Sequence, residues 1–324
     1  MDVVCLGELL VDMFPAEIGR RLVDVSAFRP KPGGAPANVS VGLARLGTHS
    51  AFIGKVGDDA FGHHLADVLA KNGVETRGMR FDEFARTTMA FIAMPDPDTA
   101  EFVFYRNPGA DMLLHPDELD LGLLEATKVL HFGSLSLVDD PIRHAAFEAI
   151  EVVSGAGGMI SLDVNYRPTL WPSPELAIEA VTAVLPRVNL VKVNEVELAL
   201  LTGGDDLSLG SQHLLSLGPD ICVITLGKGG SYFRVPAGDG FIPSFDVGTV
   251  DATGCGDGFV AGLLTGLLTH GHWSEEISIE KMSGYLTFAN AVGALTAQTL
   301  GVIPALPTLN MVEDFLSRHS EKQD

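Results

Sequence analysis

The hydrophobic pattern alternates short, continuous apolar runs with longer stretches of helical periodicity. Val3–Leu6 is such a run, closed by Gly7 and Glu8, as expected of a strand buried on both faces of a parallel sheet. Similar runs predict strands at 51–57, 129–132, 159–164, 190–193 and 221–226. Periodic stretches predict helices at 36–46, 61–72, 141–155, 174–185 and 194–201. Strands alternating with helices predict an α/β fold with a doubly wound, mainly parallel sheet flanked by helices.

Two stretches interrupt this alternation. Residues 11–32 have poor periodicity, and 87–94 with 101–105 form a hairpin pattern around the turn-rich segment 95–99. We expect both stretches to build one small β-sheet lid, discontinuous in sequence, from about 11–32 and 86–107. Because no internal repeat or linker is found, the prediction is a single domain over 1–324.

Composition and charge narrow the possible ligands. The chain has 324 residues, with 21 Lys and Arg against 42 Asp and Glu, a net charge of −21. This balance argues against nucleic acid as a partner, because nucleic acid is bound by basic surface. A small phosphorylated ligand stays possible where backbone N–H groups, a metal ion or a few cationic side chains meet its charge.

Cysteine usage and the N-terminal sequence predict a location. The three cysteines, Cys5, Cys222 and Cys255, have neither disulfide-framework nor zinc-site spacing. No signal-peptide pattern or membrane-length apolar run is found, so we expect a cytoplasmic protein that does not enter a membrane.

Polar residues cluster where the predicted parallel strands end. Ligands of doubly wound sheets gather beyond the carboxyl ends of the strands, so these side chains are expected to line one site. They are Asp12, Asp163, Asn165, Arg167, Lys192, Asn194 and Thr225.

Two glycine turns each precede a predicted helix. Gly33 and Gly34 come before a helix whose first turn holds Asn38, so a ligand could approach the backbone closely and meet the Asn38 amide. The alternative is a plain helix entry with Asn38 in solvent. The second turn, 250–258, offers Gly254 and Gly256 N–H groups at a helix N-terminus, which attracts anions.

Asp257 stands directly after this second turn. A carboxylate beside an anion pocket is unexpected unless it accepts a proton from the group that attacks a phosphate. The alternative is that Asp257 merely caps the helix.

The other candidates also have structural alternatives. Asn194 and Glu197 could hold a hydrated Mg²⁺ on nucleotide phosphates, or could form a helix capping box. Segment 225–230 could contact a nucleotide or be a plain hairpin turn. Arg106 and Arg167 could clamp oxygens of a substrate or phosphoryl group, or form surface ion pairs. The fingerprints of P-loop, protein-kinase and dinucleotide-binding proteins are missing, which counts against a dehydrogenase.

Two motifs resemble those of the ribokinase-like (PfkB-type) carbohydrate kinases. The stretch from Asp251 to Asp257, D-A-T-G-C-G-D, is similar to the family signature D-T-x-G-A-G-D, and 33–38, G-G-A-P-A-N, resembles its N-terminal signature. The similarity covers nearly the whole chain. Stretches at 51–59, 102–114 and 170–172 look most like those of bacterial and plant fructokinases.

The resemblance implies a role for each candidate residue. It implies Asp257 as the catalytic base and ATP phosphates against Gly254, Cys255 and Gly256. It implies sugar contacts from Asp12, Gly33, Gly34, Asn38, Arg106 and Arg167. It implies nucleotide contacts from Lys192, Asn194, Glu197, Thr225, Gly227 and Gly230.

The resemblance also implies metal ions and a dimer. Mg²⁺ would be organised by Asn194 and Glu197, and relatives bind a monovalent cation such as K⁺ near Asp251 and the segment around Gly301. In the family the small sheet acts as a lid and often as the contact of a homodimer. Three positions depart from the family pattern: Cys255 replaces Ala, Val164 replaces the Pro of D-P-N-x-R, and Ala305 stands where some relatives have a hydroxyl.

The activity implied is transfer of the ATP γ-phosphate to the 6-hydroxyl of D-fructose. A 2-keto-3-deoxygluconate kinase, or another sugar kinase of the family, is the nearest alternative. A sugar sensor without catalytic activity is the alternative from a different class.

Overall fold

The computed structural model describes residues 1–96, 99–269 and 277–320. Two β-sheets contain its thirteen strands, which are β1 Val3–Leu6, β2 Leu10–Pro15, β3 Phe28–Gly33, β4 Ser50–Gly57, β5 Met79–Asp82, β6 Met89–Asp96, β7 Thr99–Tyr105, β8 Val129–Gly133, β9 Met159–Asp163, β10 Leu190–Asn194, β11 Ile221–Thr225, β12 Gly230–Val235 and β13 Gly238–Pro243. The α-helices are α1 Ala35–Arg45, α2 Ala60–Lys71, α3 Leu121–Glu125, α4 Ile142–Gly155, α5 Pro174–Val184, α6 Glu195–Thr202, α7 Leu207–Ser216, α8 Cys255–Thr269, α9 Ile279–Thr296, α10 Val302–Ala305 and α11 Leu309–Ser320. No helix in these ranges is long and apolar enough to cross a membrane.

The larger sheet has nine strands in the order β13-β12-β11-β10-β9-β8-β1-β4-β5. The pairs from β11 to β5 are parallel, and β12 and β13 add two antiparallel strands at one edge. This arrangement confirms the predicted fold class, a doubly wound and mainly parallel sheet flanked by helices.

The central strand β1 shows why its sequence is continuously apolar. All four of its residues are fully buried. Val3 and Cys5 belong to the core shared with α1, α2, α8, α9 and α11, whereas Val4 and Leu6 belong to the core shared with α3 to α7. Side chains on a strand alternate between its two faces, so a sheet covered on both sides needs apolar residues at every position.

The second sheet has four strands in the order β3-β2-β6-β7, and we call it the lid sheet. β2 with β3 and β6 with β7 pair antiparallel, and β2 with β6 pairs parallel. Its strands come from the two stretches in which the predicted lid lies. The predicted hairpin turn at 95–99 includes residues 97 and 98, which lie outside the described residues.

Helix α8 packs closely against two other helices through glycines. A methyl group on Gly42 of α1 would lie 2.7 Å from Cβ of Ala261 in α8. One on Gly262 of α8 would lie 2.9 Å from Cα of Ala289 and from Cγ2 of Val292, both in α9. These contacts fix the helix that follows the second glycine turn.

We expect Gly262→Ala to lower the free energy of unfolding by about 1–3 kcal/mol, because the added methyl meets the backbone of a packed helix. Gly284→Ala is the matched control, since Gly284 lies exposed on α9 with open space beside it. It should raise that free energy by about 0.5–1 kcal/mol through helix propensity alone. Urea unfolding followed by circular dichroism measures both. Equal effects of the two substitutions would contradict the close packing.

Candidate active site

A cleft of about 1160 Å³ lies between the lid sheet and the carboxyl ends of the parallel strands. Most of the predicted site residues line it. They are Asp12, Gly34, Asn38, Arg167, Lys192, Asn194, Thr225, Gly227, Gly230, Gly254, Cys255, Gly256 and Asp257. The predicted residues that are not among the lining residues are Gly33, Arg106, Glu197 and Asp251.

The turn before α8 has the geometry of an anion site, and we call residues 251–256 the phosphate turn. Gly254 has a φ of 77°, and a side chain there would lie 2.2 Å from Cγ1 of Val302, so only glycine fits. N–H groups of a first helical turn have no acceptor within their helix. The Cys255 N–H is nevertheless engaged, because it donates at 3.3 Å to the carbonyl of Ala252, which precedes the helix.

Asp251 holds the phosphate turn from behind. Its Oδ1 accepts a hydrogen bond from the Thr253 N–H, and its Oδ2 accepts one from the Gly301 N–H, both at 2.9 Å. The structure thus brings together the two segments near which the family resemblance predicts a monovalent cation.

Asp257 lies inside the first turn of α8 and is 9% exposed. Its Oδ2 accepts a hydrogen bond from the Asn38 Nδ2 of α1 at 2.8 Å. Burial raises the pKa of Asp257 to about 7; the Asn38 bond and the charges of Arg167 and Lys192 lower it, while the Asp163 carboxylate raises it further. The carboxylate therefore belongs to the cleft, and the capping interpretation does not describe it.

A second carboxylate, that of Asp12, lies on the lid-sheet side. Burial and the neighbouring Asp257 charge raise the pKa of Asp12 to about 7, with Arg167 opposing the shift and Glu8 adding to it. A side chain at Gly33 would lie 2.0 Å from Asp12 Oδ2, so this glycine makes room for the carboxylate.

Glu8 is a site residue that the sequence reasoning did not single out. It lines the cleft and accepts a hydrogen bond from the Ala35 N–H at 2.9 Å, which holds the start of α1. Its position directly after the end of β1 is the signal that could have identified it.

Lys192 is buried beside the phosphate turn. Its Nζ donates to both oxygens of Asp163, at 3.0 and 3.1 Å, and lies 3.5 Å from where a side chain on Gly256 would begin. Burial alone would lower the pKa of Lys192, but Asp163 and Glu197 outweigh it and raise that pKa. The ammonium is therefore a fixed positive charge in the cleft wall.

Asn194 and Glu197 form the capping box that the sequence left as an alternative. Asn194 Oδ1 accepts from the Glu197 N–H, and Glu197 Oε2 accepts from the Asn194 N–H. Glu197 Oε1 accepts from the Tyr166 N–H at 2.8 Å, so the carboxylate joins the loops after β9 and β10. Burial raises the pKa of Glu197, with Lys192 opposing the shift.

The two arginines differ in position. The structure does not support Arg106 as a direct cleft residue, because its Nε is paired with Asp111 Oδ2 at 2.7 Å and both side chains are almost fully buried. Asp111 follows Arg106 by five residues and lies just after the predicted lid. A pattern of polar residues at strand ends does not predict such an ion pair. Arg167 is exposed, lines the cleft and is close enough to influence the pKa of both Asp12 and Asp257.

The segment 225–230 forms the predicted hairpin turn. It joins β11 to the antiparallel β12, and Gly227 and Gly230 have φ values of 54° and 117° that favour glycine. Thr225, Gly227 and Gly230 all line the cleft. The hairpin turn is therefore also a part of the candidate site.

Apolar side chains of the lid sheet face the carboxylates. Phe102 and Phe104 of β7 line the cleft with ring centroids 6.2 Å apart, next to Ala90 and Ile92 of β6. The lid-sheet end of the cleft thus combines an apolar wall with hydrogen-bonding carboxylates.

Cys255 replaces the family's Ala without adding a charge. Burial raises the pKa of its thiol to about 11, and the carboxylates of Asp251 and Asp257 add to this. The side chain stays small and neutral at physiological pH.

The cleft brings together a phosphate turn, two carboxyl groups that titrate near neutrality and a buried lysine, which suits phosphoryl transfer to a hydroxyl group. The family model for pfkB family carbohydrate kinases matches residues 1–309. A protein named probable fructokinase-2 from Arabidopsis thaliana is 45% identical over 312 residues, which are 94% of this chain and 93% of that protein.

Solved structures are similar over nearly the whole chain. A fructokinase with bound ATP from Xylella fastidiosa has a TM-score of 0.91 and 32% identity, covering 98% of this chain and 99% of that one. A fructokinase from Vibrio cholerae O395 in a form with fructose, ADP and calcium ion has a TM-score of 0.87 and 31% identity, covering 97% and 98%. The chain therefore belongs to the pfkB family of carbohydrate kinases.

Proposed function

We propose that the protein transfers the γ-phosphate of ATP to the 6-hydroxyl of D-fructose, giving fructose 6-phosphate and ADP. The observation that carries this proposal is the buried Asp257 carboxylate, which stands directly beside the phosphate turn and within the same cleft as Asp12 and Asn38. The fructokinases to which the chain is similar support the choice of sugar.

In the proposed reaction Asp257 is the base. It takes the proton of the sugar hydroxyl while that oxygen attacks the γ-phosphorus and the bond to the β-phosphate oxygen breaks. The Gly254 and Gly256 N–H groups and the Lys192 ammonium stabilise the charge on the transferring group. Phosphoryl transfer asks the protein mainly for such positioning and charge stabilisation.

The sugar and the nucleotide occupy opposite ends of the cleft in this proposal. Asp12, Gly34, Asn38 and Arg167 bind the sugar, with Gly33 and Arg106 supporting them from behind. Thr225, Gly227, Gly230 and Asn194 line the nucleotide, whose phosphates reach Gly254, Cys255 and Gly256.

Mg²⁺ fits this site through phosphates and water rather than through a protein cage. No group of three or more His, Cys, Asp or Glu side chains within the described ranges could hold a metal ion. Glu197 already accepts two backbone hydrogen bonds and is buried, so it would hold Asn194 in place, and Asn194, which lines the cleft, would orient water of hydration. When bound, Mg²⁺ would neutralise charge on the phosphates.

Three further assignments stay predictions. They are a K⁺ ion near Asp251 and Gly301, a cytoplasmic location, and a homodimer formed through the lid sheet. The exposed Val103 and Tyr105 on the edge strand β7 support the dimer prediction, because an open edge strand is a pairing surface.

A neutral sugar suits the cleft better than a sugar acid. Glu8, Asp12 and Asp257 all line the sugar end, whereas Arg106 is engaged with Asp111 and Lys192 with Asp163. Among the cationic groups that line this end of the cleft, Arg167 alone has no carboxylate within ion-pair distance in the part of the chain that the structure describes. The carboxylate of 2-keto-3-deoxygluconate would therefore find a single unpaired cation, Arg167, among three carboxyl groups.

We expect ADP release with fructose to exceed that with ribose, 2-keto-3-deoxygluconate or adenosine by at least tenfold in kcat/KM. A coupled assay with Mg²⁺ and K⁺ present measures all four substrates side by side. A higher kcat/KM with 2-keto-3-deoxygluconate would contradict the proposed substrate and favour a 2-keto-3-deoxygluconate kinase. Sugar binding without any ADP release would favour the non-catalytic sensor.

Asp257→Asn should reduce kcat by roughly 10²–10⁴-fold, the contribution typical of a general base. The amide keeps the size of the carboxylate, so fructose binding should change little. Isothermal titration calorimetry measures the binding and the coupled assay the turnover. Asp205→Asn, at an exposed position outside the cleft lining, is the control for loss of one negative charge. Near wild-type turnover in Asp257→Asn would rule out the base.

The pH dependence follows from the raised pKa of Asp257. The base acts as the ionised carboxylate. Because its pKa is about 7, the group is mostly protonated when the pH is below that value. We therefore expect kcat/KM to fall as the pH decreases through about 7, with stability measured over the same range to exclude unfolding. If kcat/KM instead falls only near pH 4, the ordinary pKa of an aspartate, the Asp257 carboxylate is solvated in the free protein.

A further inference from the structure

Lys31 projects from the same face of the lid sheet as Asp12. The two residues stand directly opposite each other, Asp12 on β2 and Lys31 on β3. Directly opposed residues of an antiparallel pair share one face, and Asp12 on that face lines the cleft. The lysine is therefore attached to a strand pair that also carries a sugar-binding carboxylate.

The Lys31 ammonium reaches the loop before α10. Its Nζ donates to the Leu300 carbonyl at 3.4 Å, and a methyl group on Gly301 would lie 2.7 Å from it. On the other side, Nζ lies 4.8 Å from the centroid of the Phe14 ring on β2, within cation–π range. The side chain thus connects the lid sheet to residues 300–301.

The same loop supports the phosphate turn. Gly301 donates its N–H to Asp251, whose other oxygen accepts from Thr253. The N–H groups of Val250 and Asp251 both donate to the Ala297 carbonyl, at 2.8 and 3.1 Å. The phosphate turn and the loop therefore form one hydrogen-bonded unit.

A continuous set of contacts runs from Asp12 through β3 and Lys31 to the loop and the phosphate turn. We infer that Lys31 is a positioning residue that couples sugar binding at the lid sheet to nucleotide binding at the phosphate turn. A sugar held by Asp12 fixes β2 and β3, and Lys31 then fixes the loop that orients the turn. This inference rests on the proposed function, since it needs a sugar at Asp12.

Coupling between two sites is reciprocal and measurable. If a sugar on Asp12 orders the phosphate turn, it tightens nucleotide binding by a factor that is typically about 5–150. A non-hydrolysable ATP analogue, titrated calorimetrically with and without saturating fructose, gives this factor as a ratio of two Kd values. Loss of packing alone would not change the ratio, because it affects both titrations alike.

Three variants test the inference. Lys31→Met should bring the ratio close to one and lower kcat about tenfold, while the Kd of the analogue measured without fructose stays within about twofold. Lys31→Arg, which keeps a cation of similar reach, should recover part of the ratio. Arg29→Met removes an exposed positive charge two residues earlier on β3 and should match the wild type.

The outcomes separate this inference from the proposed function. If Lys31→Met has the same ratio of Kd values as the wild type, the coupling through Lys31 is overturned. A ratio of one in the wild type also overturns it, because the two sites are then not coupled. An equal loss in Arg29→Met would trace the effect to net charge and overturn the role of Lys31. Failure of the wild type to bind or phosphorylate fructose would instead count against the proposed function, and the ratio would then be measured with the sugar that the substrate panel identifies.

Discussion

The candidate site depends on the hydrogen bonds that the Asp251 carboxylate accepts from two segments of the chain. One of its oxygens holds the Thr253 N–H and the other the Gly301 N–H, so two distant chain segments share a single anchor. Hydrogen bonds to an ionised group are about twice as strong as neutral ones. The anchor sets where α8 begins, and the start of α8 sets where Asp257 stands relative to the phosphate turn. The position of the Asp257 carboxylate therefore depends on a group outside the cleft lining.

The sequence predicts the large sheet well because most of its strands are buried on both faces. Such strands carry continuous apolar runs that few other elements have. The edge strands β5 and β13 were not predicted, since Met79–Asp82 is partly exposed and Gly238–Pro243 begins with two glycines around an aspartate, so neither has a continuous apolar run. Helix α9 was also missed; its buried residues surround it on several sides, so they give no clear apolar stripe.

For the site, the rule that ligands gather at strand ends identified seven residues that line the cleft, and the glycine turns and family signatures supplied the other predicted ones. It could not say which of them would be engaged with one another. The bond from Tyr166 to Glu197 and the ion pair of Lys192 with Asp163 arise only when separate parts of the chain fold together. Lys31 lies in a stretch without periodicity, and its neighbour Leu300 is 269 positions further along the chain. Tertiary contacts of this kind have no local signal.

The hydrogen bond from Asn38 to Asp257 has a consequence for which hydroxyl group of a sugar reacts. Because Oδ2 already accepts a hydrogen bond from the Asn38 amide, one of its two lone pairs is occupied, and Oδ1 is the less engaged oxygen. In the proposed reaction, the Asn38 bond therefore favours proton transfer to Oδ1 and fixes the orientation of the carboxylate. The sugar hydroxyl that reaches this oxygen is the one that would react, and the position of the oxygen is set by a residue of another helix.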